Sequence, residues 1–219
     1  NMGSNLNLNY QIEEYINSHS IKLHPVQYEI IKYNETLGEI KKMQISISQC
    51  HFLHLIVKII KPKNILEIGT FTGLSALTMG LAMDENSKLT ALDKNKETSD
   101  VAMSFFKKAK IDNKINLLIN NAIVSLDDLH NQKKKFDFIF IDADKENYIN
   151  YFNNSLNILN NNGIIVVDNV LWYGDVADQN KNDRLTVKIR EFNKFIKDDN
   201  RVESLILPIG DGLSVCRKK

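Results

Sequence analysis

One segment, an apolar strand that runs into a loop containing two glycines, constrains this 219-residue chain more than any other. Residues 64–73 read Asn-Ile-Leu-Glu-Ile-Gly-Thr-Phe-Thr-Gly, with the spacing Glu-x-Gly-x-x-x-Gly from Glu67 onward. A glycine at position 69 lets a ligand approach backbone that a Cβ would block. The pattern therefore predicts the first strand and the ligand-binding turn of a Rossmann-like sheet. A strand-turn-helix connection with incidental glycines is the alternative.

The glycine spacing also distinguishes between two classes of cofactor. A dinucleotide site would have Gly-x-Gly-x-x-Gly before a helix that binds the pyrophosphate. The spacing here differs, and it favours S-adenosylmethionine, which has no phosphate to bind. A second short strand, residues 89–92, ends in Asp93, whose carboxylate can accept hydrogen bonds from both ribose hydroxyls of an adenosine. The alternative for Asp93 is a solvated acid at a strand end.

Composition limits the organisation of the chain and its partners. With 43% hydrophobic residues and three prolines, 219 residues suffice for one domain, which we divide into an N-terminal helical segment (1–60) and a Rossmann-like core (61–219). The net charge of +1 gives no field that would attract nucleic acid or an anionic membrane, so a small-molecule substrate is expected. Two cysteines and no membrane-spanning or signal segment indicate a cytoplasmic protein.

Hydrophobic periodicity predicts alternating strands and helices. Residues 10–60 have helical spacing, and Phe52, Leu55, Ile56 and Ile59 are predicted to pack on a sheet. The apolar strands that follow favour a parallel sheet with helices on both faces, and the chain ends in a hairpin. Predicted strands are 64–68, 89–92, 115–119, 136–141, 163–167, 202–207 and 213–216. Predicted helices are 73–83, 96–109, 122–130, 147–160 and 184–197.

Polar side chains follow the fourth and fifth strands of this predicted sheet. Asp142 comes directly after one buried strand, and Asp168 and Asn169 come after the next. Ligands of open parallel sheets bind beyond the carboxyl ends of the strands, so these three side chains are expected to share a crevice. Two carboxylates and an amide oxygen suit Mg²⁺ or a similar hard cation. The alternative is that each aspartate caps the helix that follows it.

Four ordered motifs then make the chain resemble the cation-dependent caffeoyl-CoA and catechol O-methyltransferase family over residues 43–218. The motifs are LEIGTFTG (66–73), IDADKENY (141–148), VDNVLW (167–172) and LPIGDGL (207–213). The resemblance implies a class I methyltransferase fold, with a mostly parallel seven-stranded sheet that ends in an antiparallel C-terminal hairpin. It implies a metal held by Asp142, Asp168 and Asn169, with Mg²⁺ preferred over Ca²⁺ or Mn²⁺. The cofactor residues it implies are Ile45, Glu67, Gly69, Thr70, Ser75, Asp93, Ala122 and Asp144.

The resemblance also implies a reaction. A catechol-like or caffeoyl-type vicinal diphenol would bind the cation through both oxygens, and the cation would lower the pKa of the attacking hydroxyl. Lys145 and Asp142 are the predicted catalytic residues, with Lys145 placed to remove the hydroxyl proton. Trp172 and Tyr173 are predicted to line the acceptor pocket. The alternative for Lys145 is a surface lysine, and the alternative for the two aromatic residues is ordinary packing.

Two other functions remain open at this point. One is O-methylation of a wobble hydroxyuridine in tRNA, which the near-zero net charge disfavours without excluding it. The other is a module that binds S-adenosylmethionine without catalysis, which would follow if Asp142, Asp168 and Asn169 bound no metal. The resemblance further implies a homodimer.

Overall fold

The computed structural model describes residues 5–219, which form eight α-helices and a seven-stranded sheet. The helices are α1 (Tyr10–Ser18), α2 (Pro25–Asn34), α3 (Ile47–Ile60), α4 (Leu74–Ala82), α5 (Lys96–Lys108), α6 (Ala122–Asn131), α7 (Tyr148–Ile158) and α8 (Arg184–Lys197). The strands are β1 (Asn64–Ile68), β2 (Lys88–Asp93), β3 (Ile115–Ile119), β4 (Phe136–Ile141), β5 (Leu159–Asp168), β6 (Val202–Leu207) and β7 (Leu213–Lys218). Short 3₁₀ segments include Glu35–Met43, Lys145–Asn147 and Trp172–Ala177.

The strand order is β3-β2-β1-β4-β5-β7-β6, which confirms the predicted mostly parallel sheet with an antiparallel C-terminal hairpin. Strands β1 to β5 are parallel to one another, and β7 lies antiparallel between β5 and β6. The chain leaves β1 in one direction to form β2 and β3, and it returns to the other side of β1 to form β4. This reversal places a crevice at the carboxyl ends of β1 and β4, where such sheets bind their ligands.

Each face of the sheet is covered by its own set of helices. One apolar cluster combines residues of α2 to α5 with one face of the strands, and it includes the buried Ile30, Leu53 and Phe106. The other cluster joins α6, α7 and α8 to the opposite face, around Phe152 and Phe192. The N-terminal helices therefore share a core with the sheet.

Helix α3 is present, but of its predicted packing face only Phe52 and Ile56 contact the core. The buried residues are Gln49, Cys50, Leu53 and Val57, whereas Leu55 and Ile59 of the predicted face are 53% and 67% exposed. Phe52 and Ile56 are half-buried. The helix sequence is apolar on nearly every side, so hydrophobic spacing alone does not determine its rotation about its axis. A capping box between Ser46 and Gln49 begins the helix, and Lys61, in the left-handed region, ends it before Pro62.

The boundary between α7 and β5 also differs from the prediction. The helix ends at Ile158 and the strand begins at Leu159, whereas the sequence predicted a helix to residue 160 and a strand from residue 163. Leu159 pairs with Phe136, and regular pairing resumes only at Ile164 opposite Phe138. The asparagine-rich residues between these two pairs form an exposed irregularity within the strand, which strand periodicity does not reveal.

Within residues 5–219 we find no single helix with the length and apolar character needed to cross a membrane. The segments Pro25–Met43 and Ile47–Ile60 satisfy those criteria only when taken together, and they meet at an angle of 82°.

Candidate active site

A cavity of about 780 Å³ opens at the carboxyl ends of the parallel strands. Its size suits a small-molecule cofactor together with an acceptor. It is lined by every residue predicted for the site except Glu67. These are Ile45, Gly69, Thr70, Ser75, Asp93, Ala122, Asp142, Asp144, Lys145, Asp168, Asn169, Trp172 and Tyr173. The fold therefore brings together residues that are spread over 129 positions of the sequence, from 45 to 173.

The loop after β1 lies close to the end of β4 and is hydrogen-bonded to Asp93. Gly69 has φ +91°, and a Cβ at this position would lie 1.9 Å from the backbone oxygen of Asp142, so no other residue fits there. The carboxylate of Asp93 accepts hydrogen bonds from the backbone N–H groups of Thr70 (3.0 Å) and Phe71 (2.9 Å) through Oδ2. Asp93 thus shapes the loop and also lines the cavity, a structural role that its predicted contact with a ribose did not include.

Glu67 lies behind the cavity wall. Its side chain is fully buried, and Oε2 accepts a 2.5 Å hydrogen bond from the hydroxyl of Ser75, which does line the cavity. Its other oxygen, Oε1, has no hydrogen-bond partner among residues 5–219. Burial raises the pKa of Glu67 to about 8, so the carboxyl group is mostly protonated near neutral pH. The prediction that Glu67 contacts the cofactor stays a prediction, and Ser75 is the side chain that connects Glu67 to the cavity.

The raised pKa of Glu67 predicts how stability depends on pH. Between about pH 4.5 and pH 8 the folded protein holds a proton that the unfolded chain releases, so the free energy of unfolding falls as pH rises through this window. Glu67→Gln keeps the shape of the side chain and removes this titration. From pH 5 to pH 8.5, we expect the free energy of unfolding of the variant to rise relative to that of wild type by roughly 2–4 kcal/mol, measured by urea denaturation. The exposed Glu85→Gln is the control; equal pH slopes for Glu67→Gln and wild type would contradict the expectation.

Asp142 and Asp168 lie side by side because β4 and β5 are parallel neighbours. Ile141 pairs with Val167. The next residue on each strand, Asp142 and Asp168, therefore lies at the same level of the sheet. Burial, and then the negative charge of Asp142, raise the pKa of Asp168 above its usual range. Asp168 is only 3% exposed, and its Oδ2 accepts no hydrogen bond from any residue between 5 and 219. Oδ2 is therefore available to a cation.

Asn169 is oriented by the C-terminal hairpin. Its backbone is left-handed, with φ +64°, and its Nδ2 donates a 2.8 Å hydrogen bond to Oδ2 of Asp211 in the β6–β7 turn. The other oxygen of Asp211 accepts a 2.6 Å hydrogen bond from the backbone N–H of Tyr173. Because the amide nitrogen of Asn169 is occupied, its Oδ1 is the atom left to face the cavity. Asp211 was not singled out from the sequence, although it lies in the LPIGDGL motif.

The three oxygen donors therefore fit a hard cation by chemistry. Residues 5–219 contain no group of three or more His, Cys, Asp or Glu side chains arranged to hold a metal. The set here is of a different kind, since it consists of the two carboxylates of Asp142 and Asp168 and the amide oxygen of Asn169. Such mixed oxygen ligands leave several coordination positions for water and substrate, as Mg²⁺ prefers.

Lys145 contacts the same group of residues. Its Nζ lies 3.1 Å from Oδ1 of Asp142 and donates a 2.7 Å hydrogen bond to the hydroxyl of Tyr148, whose ring centroid is 4.8 Å away. Tyr148 is fully buried and donates in turn to the backbone oxygen of Asp168 at 2.9 Å. Lys145 is thus held at the cavity wall, with its side chain 13% exposed, and is not the solvated surface lysine of the alternative interpretation.

The segment after Asn169 forms the outer wall of the cavity. Trp172 and Tyr173 both have positive φ, and their ring centroids lie 5.3 Å apart at a tilt of 59°. Tyr173 is 69% exposed, so it stands at the mouth of the cavity, while Trp172 packs partly against the core. Asp144, on the facing side, accepts short hydrogen bonds from the hydroxyl of Tyr151 and from Nδ2 of Asn147.

Several lining residues were not predicted from the sequence. Residues 42–44 and Leu185 reach the cavity from the N-terminal segment and from α8. Their positions depend on how distant helices dock, and no local motif marks them. Gln49 is a different case, because its capping-box pattern, Ser46-x-x-Gln49, is visible in the sequence and only its long-range contact is not.

A sheet of this order with a ligand cavity at the ends of β1, β2, β4 and β5 defines a class I S-adenosylmethionine-dependent methyltransferase. The O-methyltransferase family model matches residues 17–219, and the chain belongs to that family. A caffeoyl-CoA O-methyltransferase of Medicago sativa is 38% identical over 185 residues, which cover 80% of this chain and 75% of the relative. A flavonoid 3',5'-methyltransferase of Vitis vinifera is 37% identical, with 80% and 79% covered. Among solved structures, an O-methyltransferase of Bacillus cereus in complex with SAH has a TM-score of 0.87 at 29% identity, with 95% and 97% covered.

Proposed function

We propose that this S-adenosylmethionine-dependent O-methyltransferase requires a divalent cation and methylates a catechol-like or caffeoyl-type vicinal diphenol. The observation that carries the proposal is the convergence of Asp142, Asp168 and Asn169 on one cavity wall beside the loop at Gly69. Two of the relatives are named for caffeoyl-CoA and for flavonoids, which are phenolic compounds. A net charge of only +1 agrees with a small aromatic acceptor.

Different residues of the chain would have different roles in such a reaction. S-adenosylmethionine would supply an electrophilic methyl group, and a cation such as Mg²⁺ would supply positive charge that makes the acceptor hydroxyl more acidic. Asp142, Asp168 and Asn169 would hold the cation through their side-chain oxygens. Trp172 and Tyr173 would confine the aromatic ring at the mouth of the cavity. By fixing the acceptor oxygen relative to the methyl group, the site avoids an orientation cost that can reach ~7–11 kcal/mol.

We propose that Lys145, acting as the neutral amine, accepts the proton of the attacking hydroxyl at Nζ. Its nitrogen is positioned by Asp142 and by the hydroxyl of Tyr148, so it needs no large movement to reach a substrate in the cavity. The positive charge that Lys145 gains with the proton would be balanced by the carboxylate of Asp142, which lies 3.1 Å from Nζ.

Lys145→Arg separates this role from a purely electrostatic one, because arginine keeps the charge and does not release its proton in proteins. We expect the variant to lose turnover by roughly 10²–10⁴-fold, as general-base variants do, while S-adenosylmethionine and Mn²⁺ still bind. Single-turnover methyl transfer and calorimetric titration measure the two effects. Lys188→Arg, at a half-buried position of α8 where the lysine also pairs with a carboxylate, is the matched control. Wild-type turnover in Lys145→Arg would exclude proton transfer to this side chain.

The substrate class is tested with a panel of phenols and labelled S-adenosylmethionine, with and without a chelator. We expect methylation of vicinal diols and not of the matching monophenols, loss of activity on chelation, and recovery on addition of Mg²⁺. Turnover that is equal before and after chelation would refute the cation role. Methylation of tRNA that carries hydroxyuridine, but not of unmodified tRNA, with every phenol inactive, would instead support the tRNA alternative.

A further inference from the structure

Gln49 donates a hydrogen bond to a proposed cation ligand from 119 positions away in the sequence. Its Nε2 lies 2.7 Å from Oδ1 of Asp168 and 3.3 Å from the backbone oxygen of Ile209. Its Oε1 accepts a 2.9 Å hydrogen bond from the backbone N–H of Ser46, which closes the capping box of α3. Gln49 is 2% exposed, so these contacts are made inside the protein.

The orientation of this amide group is determined by its partners. If its oxygen and nitrogen were exchanged, the oxygen would face the carboxylate of Asp168 and the NH₂ group would face the backbone N–H of Ser46. Both contacts would then be repulsive. The turn between β6 and β7 lies close to the side chain of Gln49 and restricts its rotation. A Cβ added at Gly210 would lie 2.6 Å from Cδ of Gln49.

The contact determines which oxygen of Asp168 is free. Oδ1 receives two N–H donors, from Gln49 at 2.7 Å and from the backbone of Asn169 at 2.6 Å. With Oδ1 occupied in this way, Oδ2 is left for the cavity. Hydrogen bonds to the oxygen of a carboxylate that does not ligate the metal fix the orientation of that carboxylate. Their loss weakens metal binding.

We propose that Gln49 is a positioning residue for the cation, and that through it the docking of the N-terminal helical segment determines the geometry of the cation site. This inference rests on the cation site proposed above. Gln49 lies in the first turn of α3, and Ile45 and the residues just before it line the cavity. The start of α3 therefore determines the position of one part of the cavity lining and the orientation of the Asp168 carboxylate.

The chain contains a matched control for testing this role. Gln27 is also a buried glutamine at the third position of its helix, with Oε1 on the N-cap backbone N–H of His24 at 2.8 Å. Its Nε2 donates to the hydroxyl of Thr78 at 2.8 Å and not to a cation ligand. Gln27→Met and Gln49→Met therefore each remove one side-chain amide group and the equivalent capping interaction that it makes. Methionine fills the space that the glutamine leaves.

Mn²⁺ binding to the full chain, followed by electron paramagnetic resonance without S-adenosylmethionine, is the readout. We expect Gln49→Met to weaken Mn²⁺ binding by about 10–100-fold and Gln27→Met to leave it unchanged, although both variants melt at lower temperature. Calorimetric titration with SAH should give similar affinities for the two variants. If Gln49→Met does not fold, Gln49→Asn replaces it, because its amide is one methylene shorter and falls short of Asp168.

The outcomes separate this inference from the proposal beneath it. If the wild-type protein binds no Mn²⁺, the proposed cation site is wrong. If wild type binds Mn²⁺ and the Gln49 variant binds it equally well, only the role of Gln49 is overturned. Equal weakening in the Gln27 variant would show a general loosening of the N-terminal helices and would also overturn it.

Discussion

Asp168→Asn is expected to abolish cation-dependent methyl transfer while leaving the fold intact. Asparagine retains Oδ1 as an acceptor for Gln49 and for the backbone N–H of Asn169, so the end of β5 should keep its shape. It replaces a negative oxygen that faces the cavity with an uncharged group. Because a cation contributes several kcal/mol to the transition state, we expect kcat/KM to fall on the order of 10²–10³-fold or more. Initial rates over a Mg²⁺ titration measure this.

The control for this variant lies at the opposite end of the neighbouring strand. Asp137, near the start of β4, accepts hydrogen bonds from the backbone of Lys63 and Asn64 and from Nδ2 of Asn160. Asp137→Asn makes the same chemical change far from the cavity, and we expect wild-type rates from it. Undiminished activity in Asp168→Asn, or insensitivity of wild type to a chelator, would show that the carboxylate holds no catalytic cation.

Gly69→Ala is expected to have the largest effect on stability of any single change considered. The backbone at this position is left-handed, which costs a non-glycine residue roughly 1–2 kcal/mol. The new Cβ would in addition lie 1.9 Å from the backbone oxygen of Asp142, a contact that only movement of β1 or β4 can relieve. We therefore expect a loss of about 3–5 kcal/mol in urea denaturation, together with weaker SAH binding by calorimetry.

Gly38→Ala distinguishes the two contributions. Gly38 has φ +64°, yet nothing lies within 4 Å of where its Cβ would be. With ψ −134°, Gly38 adopts a positive-φ conformation that side chains disfavour, so this variant reports the cost of such a backbone without a close contact and should lose about 1–3 kcal/mol. If Gly69→Ala were no more destabilising than Gly38→Ala, the close approach of β1 to Asp142 would have no energetic weight.

The sequence predicts the sheet and most of the site because the relevant signals are local. Asp142 and Asp168 each follow a short buried strand, and the carboxyl ends of parallel strands meet at one edge of a sheet. That rule places both aspartates in one crevice without any knowledge of their contacts. The glycine-containing loop after β1 and the acid at the end of β2 are recognisable in the same way.

What the sequence does not predict depends on long-range packing. The rotation of α3 is one example, because Leu55 and Ile59 are as apolar as the buried Leu53 and Val57, and only the docked helix distinguishes them. The start of β5 at Leu159 depends on its pairing with Phe136.

The hydrogen-bond partners of the ligands are a second example. Gln49 and Asp211 contact Asp168 and Asn169 across 119 and 42 positions of sequence, so no local pattern reveals them.

The bonds between Asp93 and the loop at Thr70 and Phe71 have a consequence for affinity. Since the carboxylate already fastens two successive amides, this stretch of backbone gives up little conformational entropy when a nucleoside arrives. A methyl donor bound at this loop, as the sequence predicts, would therefore meet a preorganised turn, and little of the free energy of contact would be lost in ordering it.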